Sequence, residues 1–333
     1  MNLLFILDPL EHLKTEKDTS LAIMREAAKR GHALFIAMQH GLYLRGDNAH
    51  IQAQTFAFSA HTTDAYTLGD LKDYKLNSDA YKGEKLNGFS QTYFDAILMR
   101  KDPPFDNEYL YSTYLLEIAA HHGVKVLNSP SAIRSWNEKL SVTRFPQFAP
   151  AFIVTVNHDL IREFLKIHQD IVVKPLDGMG GSSIFRLTLS DPNISVILET
   201  MTDFGRRTIM VQKYLPEILQ GDKRIIVIDG EPLPYALARI PKLGETRGNL
   251  AAGGTGVAQL LSARDLEIAT TVGKTLKEQG LFLVGLDVIG DSLTEINVTS
   301  PTGMVEIATQ TQHLPQPCNP AMVMLDALEK LLD

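Results

Sequence analysis

Cysteine is almost missing from the 333 residues, Cys318 being the only one. An internal disulfide is therefore excluded, and no CxxC or His/Cys cluster offers a structural zinc site. Long apolar runs are lacking as well: no segment approaches the roughly 18 consecutive apolar residues that span a bilayer. The opening MNLLFILDPLEHLK holds only a short apolar run. With no basic stretch before it and no small-residue cleavage site, it reads as a strand and not as a signal peptide. An excess of positive charge is absent too, since 32 Lys+Arg against 39 Asp+Glu leave a formal net charge of −7. That balance argues against a general nucleic-acid or anionic-membrane binder, while leaving room for a local basic site. Internal repeats and low-complexity stretches are not found. What remains is 44% hydrophobic and 21% charged, the composition of a globular chain of about two domains. A soluble cytoplasmic protein is expected.

The apolar pattern supplies the fold class. Residues 2–7 (NLLFIL) have strand length and end at Asp8-Pro9. Asp18, Thr19 and Ser20 offer helix N-caps, Leu21, Met24 and Ala28 recur at helical spacing, and Gly31 closes the pattern. Residues 33–38 form the next strand, which makes a βαβ unit and predicts a parallel sheet. Residues 45–90 are polar and weakly periodic, and read as an edge hairpin or a long excursion. Strands at 95–99 and 124–127 flank a helix at 108–122. A second unit follows, with strands at 152–156, 171–175, 183–187 and 208–214 and helices at 159–168 and 195–204. After Pro216 the chain is strand-rich, with strands at 224–228 and 233–240 joined by an Asp229-Gly230 hairpin signal. A helix at 263–279, strands at 282–289 and 293–298, and a last helix at 321–332 complete the α/β pattern.

Some apparent motifs dissolve on inspection. Gly273-Lys274-Thr275 resembles the end of a phosphate-binding P-loop, but position 268, where a glycine is required, is Ile. Leu266, Ala269, Val272 and Leu276 fall on one helical face there, and a helix interior has no backbone N–H to spare for phosphate. The first strand ends without G-x-G-x-x-G, so a dinucleotide fold has no fingerprint. His121-His122 before Gly123 reads as a helix end facing its dipole more readily than as a metal site.

Three constellations carry chemistry. Lys174-Pro175-Leu176-Asp177-Gly178-Met179-Gly180-Gly181 places a strand lysine before three glycines, which let backbone N–H groups approach an anion. The alternative is a tight hairpin with a solvated lysine, and the glycine density favours phosphate. In 285–298, Asp287 alternates with apolar neighbours on one strand, and Glu295 and Asn297 do so on the next. A loop of odd length such as Gly290-Asp291-Ser292 sets Asp287 opposite Glu295. Two carboxylates and an amide oxygen suit Mg²⁺; a merely solvated sheet face is the plainer reading. Third, Arg224 and Arg239 precede a stretch, 241–256, with five glycines and with Arg247 and Asn249 flanking Gly248. It reads as a lid over an anionic ligand or as a flexible surface loop.

A strand lysine with a glycine loop, later arginines and an Asp…Glu-x-Asn set resemble the ATP-grasp arrangement. Further strings extend the likeness: Met99–Asp106, Asn137-Glu138-Lys139, Gly221–Arg224, Ala238–Pro241, Thr246–Gly254 and Thr294–Pro301. Together, in this order, they resemble the bacterial glutathione synthetase family over essentially the whole chain. The resemblance implies an N-terminal α/β substrate-binding domain (1–135) and a two-lobed ATP-grasp unit, with a central lobe (136–215) and a C-terminal lobe (216–333). It implies an ATP site of Lys139, Lys174, Gly178, Met179, Gly180, Gly181, Gln212, Lys213, Tyr214, Leu215 and Asp222. Asp287, Glu295 and Asn297 would hold two Mg²⁺ ions, with Mn²⁺ possible in their place. Arg224, Arg239 and Arg247 would stabilise charge during transfer. Lys17, Asp18, Ser20, Arg100, Lys101, Asp102, Asn249 and Ser300 would contact the peptide substrate and glycine.

The implied reaction is the ATP-dependent joining of γ-glutamylcysteine and glycine into glutathione, with ADP and phosphate released from an acyl phosphate. A ligase of the same fold with another acceptor is the nearest alternative, and a non-catalytic ATP-binding regulator a more distant one. A homo-oligomer is implied, with neither nucleic acid nor membrane as partner. Two departures stand out. After Ser300-Pro301-Thr302 the family commonly continues Cys-Ile-Arg-Glu, whereas this chain has Gly303-Met304-Val305-Glu306. Thr255 stands where a basic residue is usual.

Overall fold

The computed structural model describes residues 1–59, 65–76, 93–242, 244–245, 248 and 253–333. The first apolar run is β1 (Asn2–Leu7), buried from Leu3 onward. A central parallel strand is covered on both faces, so it reads as continuously apolar and not as alternating. Asp18 caps α1 (Thr19–Lys29) by accepting from the Leu21 N–H at 2.7 Å. The chain returns as β2 (Ala33–Met38), parallel to β1. Then β3 (Leu42–Arg45), β5 (Tyr66–Leu68) and β6 (Lys72–Lys75) all pair antiparallel with the long β4 (Asn48–Phe58). The excursion expected over 45–90 is, where described, an antiparallel extension of the sheet; 60–64 and 77–92 lie outside the described residues. Parallel pairing resumes with β7 (Ala96–Met99), α2 (Asn107–His121) and β8 (Lys125–Leu127), giving the order β3-β4-β2-β1-β7-β8. A short α3 (Pro130–Ser135) leads out.

The second sheet is antiparallel, in the order β11-β10-β12-β9. Its elements are β9 (Phe152–Thr155), α4 (His158–His168), β10 (Asp170–Pro175), β11 (Phe185–Thr188), α5 (Ile194–Met201) and β12 (Ile209–Lys213). Ile161 and Leu165 of α4 and Leu198 of α5 pack with Ile171, Val173, Leu187 and Val211 into a core of their own.

The third sheet has the order β15-β14-β13-β16-β17. It comprises β13 (Asp222–Ile228), β14 (Glu231–Ile240), β15 (Thr255–Leu260), β16 (Leu283–Ile289) and β17 (Ser292–Asn297), with α6 (Ala263–Glu278), α7 (Met304–Thr311) and α8 (Pro320–Leu332). Asp229 and Gly230, at φ 48° and 84°, turn β13 into β14 as the hairpin signal predicts. Gly273-Lys274-Thr275 lies inside α6, in agreement with the rejection of a phosphate loop. The buried face of that helix is Ile268, Ala269, Val272 and Leu276, however; Leu266 is 51% exposed, a correction to the expected stripe. Helix α8 packs on α1, with Glu329 accepting from Arg30 at 2.8 Å. Core side chains of the first and third sheets join in one cluster, Leu3 and Phe5 with Ile226 and Leu237, and Leu325 of α8 packs into it. Among the described residues no helix is long and apolar enough to cross a membrane.

Candidate active site

Strand alternation assembles the site. Asp222 and Arg224 are two apart on β13 and share a face. Arg239 on β14 pairs with Asp222, Asp287 on β16 pairs with Arg224, and Glu295 on β17 pairs with Asp287. The third sheet thus presents a continuous row of charge. The Asp287–Glu295 pairing is the one expected, but its cause differs. The connection is the two-residue Gly290-Asp291, with Ile289 paired to Ser292, and the parity is restored by a bulge at Thr294.

Packing locks the row. Arg224 donates to Asp287 through Nε at 2.5 Å and Nη2 at 3.1 Å, and Arg239 Nη2 reaches Asp287 Oδ2 at 2.8 Å and Asp222 Oδ2 at 2.5 Å. Burial alone would raise Asp287, but the two guanidiniums overcome it and hold the carboxyl well below the usual range. Asp222 behaves oppositely. Burial raises it to about 6 despite Arg239, because Asp287 adds like charge beside it, and its Oδ1 has no partner among the described residues. Gly285 has room for nothing larger: a Cβ there would stand 2.7 Å from Arg224 Cδ and 2.9 Å from Pro301 Cβ.

The lysines come from other elements. Lys174, at the end of β10, is buried and donates to Thr294 O at 3.2 Å. Burial lowers its pKa to about 8, and nearby Lys139 adds to the effect. Lys139, just before residues 140–144, donates to Gly178 O at 2.6 Å and pairs with Glu295 at 3.1 Å. Burial opposes its charge, yet Glu295 and Glu138 raise its pKa. The glycine loop carries Gly180 and Gly181 at φ 63° and 79°, conformations that side chains resist.

One cavity of about 470 Å³ gathers these groups. Lys139, Lys174, Gly178, Met179, Gly180, Gly181, Gln212, Lys213, Tyr214, Leu215 and Asp222 line it together with Arg224, Arg239, Asp287, Glu295 and Asn297. So do Lys17, Asp18, Asp102 and Ser300. Ser300 Oγ donates to Asp102 Oδ1. Ser20 and Arg100 are not on the wall; they bond each other at 3.0 Å behind it, and Arg100 also donates to Pro301 O at 2.9 Å. Lys101 pairs with Asp8 at 2.8 Å, likewise off the wall. Arg247 and Asn249 lie outside the described residues. Gly248 between them lines the cavity, and a Cβ on it would come 2.3 Å from Arg239 O. Sequence reading gave no role to Arg186, whose guanidinium sits 3.8 Å over the Tyr214 ring, or to Glu138, another wall residue. A cation–π contact between residues 28 apart leaves no sequence signal.

Among the described residues no group of three His, Cys, Asp or Glu is arranged to hold a metal. Asp287 and Glu295 instead offer carboxylates balanced by Arg224, Arg239 and Lys139. Asn297 spends its N–H on Gly285 O at 3.2 Å, so Oδ1 is the atom it can offer a cation. A small all-oxygen set of this kind fits Mg²⁺, which keeps part of its shell for phosphate oxygens and water.

Comparison with known proteins places the chain. Residues 1–134 match the prokaryotic glutathione synthetase N-terminal domain, and residues 138–312 match the ATP-grasp domain of the same family. The chain belongs to the prokaryotic glutathione synthetase family. It is 56% identical over 330 residues to the glutathione synthetase of Nitrosomonas europaea, covering 99% of this chain and 98% of that one. The glutathione synthetase of Pseudomonas aeruginosa is 52% identical, with 91% and 90% covered. Among solved structures, the D-cycloserine synthetase DcsG superposes with a TM-score of 0.63 at 13% identity, covering 99% of this chain and all of that one. D-alanyl-alanine synthetase A from Vibrio cholerae gives 0.59 at 14%, covering 99% and 98%. At these identities the two solved structures show a shared fold alone.

Proposed function

We propose that this chain joins the cysteinyl carboxylate of γ-glutamylcysteine to the amine of glycine, at the expense of ATP. The chain is an ATP-grasp ligase by family, and the reading of its cavity extends that to named residues. The single observation that carries it is Asp287 held between Arg224 and Arg239, opposite Glu295, in the same cavity as Lys139, Lys174 and the glycine loop.

A carboxylate is a poor electrophile. Transfer of the ATP γ-phosphoryl group onto its oxygen breaks the bond to ADP and gives an acyl phosphate, which the glycine amine attacks with loss of phosphate and a proton. Phosphoryl transfer demands positioning and charge neutralisation above all. Lys139 and Lys174 bind the phosphates, the backbone N–H groups of Gly178–Gly181 cover them, and the segment Gln212–Leu215 reads the adenine edge, with Asp222 near the ribose. Arg224 and Arg239 face the transferred group and the acceptor carboxylate, and Arg247 is assigned with them to stabilising its charge. Asp287, Glu295 and Asn297 would hold Mg²⁺, with Mn²⁺ as a substitute; when bound it neutralises phosphate charge. Lys17, Asp18, Asp102 and Ser300 receive the γ-glutamyl end, with Ser20, Arg100 and Lys101 supporting them from behind, and Asn249 is assigned to substrate binding.

The units 1–135, 136–215 and 216–333, a homo-oligomeric assembly and a cytoplasmic location belong to the same proposal. The experiment is isotopic. ¹⁸O in the cysteinyl carboxylate of γ-glutamylcysteine is expected to appear in the phosphate released; phosphate without label would rule out the acyl phosphate.

A further inference from the structure

Glu138 has no role in the reaction as described, yet its contacts converge on the strand that carries two of the metal-type donors. Its Oε1 accepts from the Val298 N–H at 3.1 Å, the Thr299 N–H at 3.3 Å and Thr299 Oγ1 at 2.8 Å. Its own carbonyl accepts from the Ile296 N–H at 2.8 Å. The next residue, Lys139, pairs with Glu295 at 3.1 Å. The Glu138-Lys139 dipeptide therefore grips residues 295–299 from one side and brackets Asn297.

That grip matters because β17 is the edge strand of the third sheet. An edge strand is fixed on one side only, by β16 here, and its outer N–H groups need another partner. The segment leading from α3 supplies it: Ile296 N–H goes to Glu138 O, and Leu293 N–H to Phe148 O at 2.8 Å. One carboxylate oxygen with three donors then sets the height of the chain just past Asn297.

We propose that Glu138 is a positioning residue, which fixes Glu295 and Asn297 against Lys139 so that both oxygens meet the same divalent cation. The inference rests on the reading of Asp287, Glu295 and Asn297 as metal donors. Groups that orient metal ligands typically change metal affinity by about 10–100-fold when removed.

The test is Mn²⁺ binding to the full chain in the presence of ADP, followed by the electron paramagnetic resonance of free Mn²⁺. Glu138→Ala is expected to weaken Mn²⁺ by about tenfold or more and to raise the Mn²⁺ needed for half-maximal turnover by the same factor. Glu138→Gln, which keeps an acceptor, should recover most of the loss. Thr299→Val, which removes one donor and leaves the carboxylate, should weaken Mn²⁺ by about threefold, an effect of roughly one side-chain hydrogen bond. A folded Glu138→Ala with wild-type Mn²⁺ affinity would overturn the proposal, as would Glu138→Gln damaged as much as Glu138→Ala. If Glu138→Ala does not fold, unchanged Mn²⁺ affinity in Thr299→Val overturns it. Glu295→Gln separates the two readings: if it too leaves Mn²⁺ affinity intact, the metal assignment itself fails, and if it alone weakens binding, only the role of Glu138 does.

Discussion

Arg224 and Asp287 occupy directly paired positions on neighbouring strands, and the guanidinium takes the carboxylate with both Nε and Nη2. Both side chains are almost wholly buried. An ion pair in such a place is worth little over an apolar pair of the same shape, but removing one partner strands the other's charge. Arg224→Met is expected to cost about 3 kcal/mol, the low end for a broken buried pair, since Arg239 still holds one oxygen. Urea unfolding measures this, and the double variant Arg224→Met/Asp287→Leu should regain part of the loss. A single variant as stable as wild type would refute the account of the row.

Lys174 gives the site a pH dependence. Its native pKa, about 8, lies below the ordinary lysine value. The unfolded chain therefore holds the proton more tightly, so the burial cost is fully present below about pH 8 and is relieved as the pH climbs toward the lysine range. Anion binding has the opposite need, because phosphates require the charged form. ADP affinity of the enzyme, measured by calorimetry from pH 6.5 to 9.5, should fall as the pH rises through about 8. In Lys174→Met affinity should be lower throughout and that fall should vanish; an unaltered profile would contradict the assignment.

Gly285 offers a steric test that adds no charge. Its missing side chain leaves the space taken by Arg224 Cδ and Pro301 Cβ. Gly285→Ala must push one of them, and overpacking of this kind costs about 1–3 kcal/mol. The larger effect should be on turnover, since Arg224 cannot then keep both bonds to Asp287. A stable variant with normal kcat would show that the clamp geometry is not required.

Glu295→Gln keeps the volume and the strand and removes one carboxylate charge. Turnover should drop by roughly a hundredfold or more, as expected for loss of charge that orders a metal and phosphates. The drop should be partly offset at high Mg²⁺. Near-normal turnover at ordinary Mg²⁺ would overturn the metal reading.

Much of this was legible in the sequence, for identifiable reasons. Continuous apolar runs marked β1 and β2, Asp18 marked its helix, and side-chain parity set Asp287 against Glu295. Parity does not distinguish a three-residue loop from a two-residue turn with a bulge, and the chain uses the bulge at Thr294. Strand β15 was missed because each of its residues is at least partly exposed, leaving no apolar alternation. Helix α7 carries no sequence signal because its N-cap is Gly303, at φ 113°, which offers no side-chain cap. At the site, residues on regular strands were found, whereas the mutual bond of Ser20 and Arg100 behind the wall and the three-donor grip of Glu138 depend on packing between distant segments.

The central claim is the reaction itself. Coupled measurement of ADP and phosphate, with Mg²⁺, ATP, γ-glutamylcysteine and glycine each omitted in turn, tests it most directly. The account predicts ADP and phosphate in step with glutathione only when all four are present. Absence of phosphate release with the complete mixture, or equal release when γ-glutamylcysteine is left out, would contradict it.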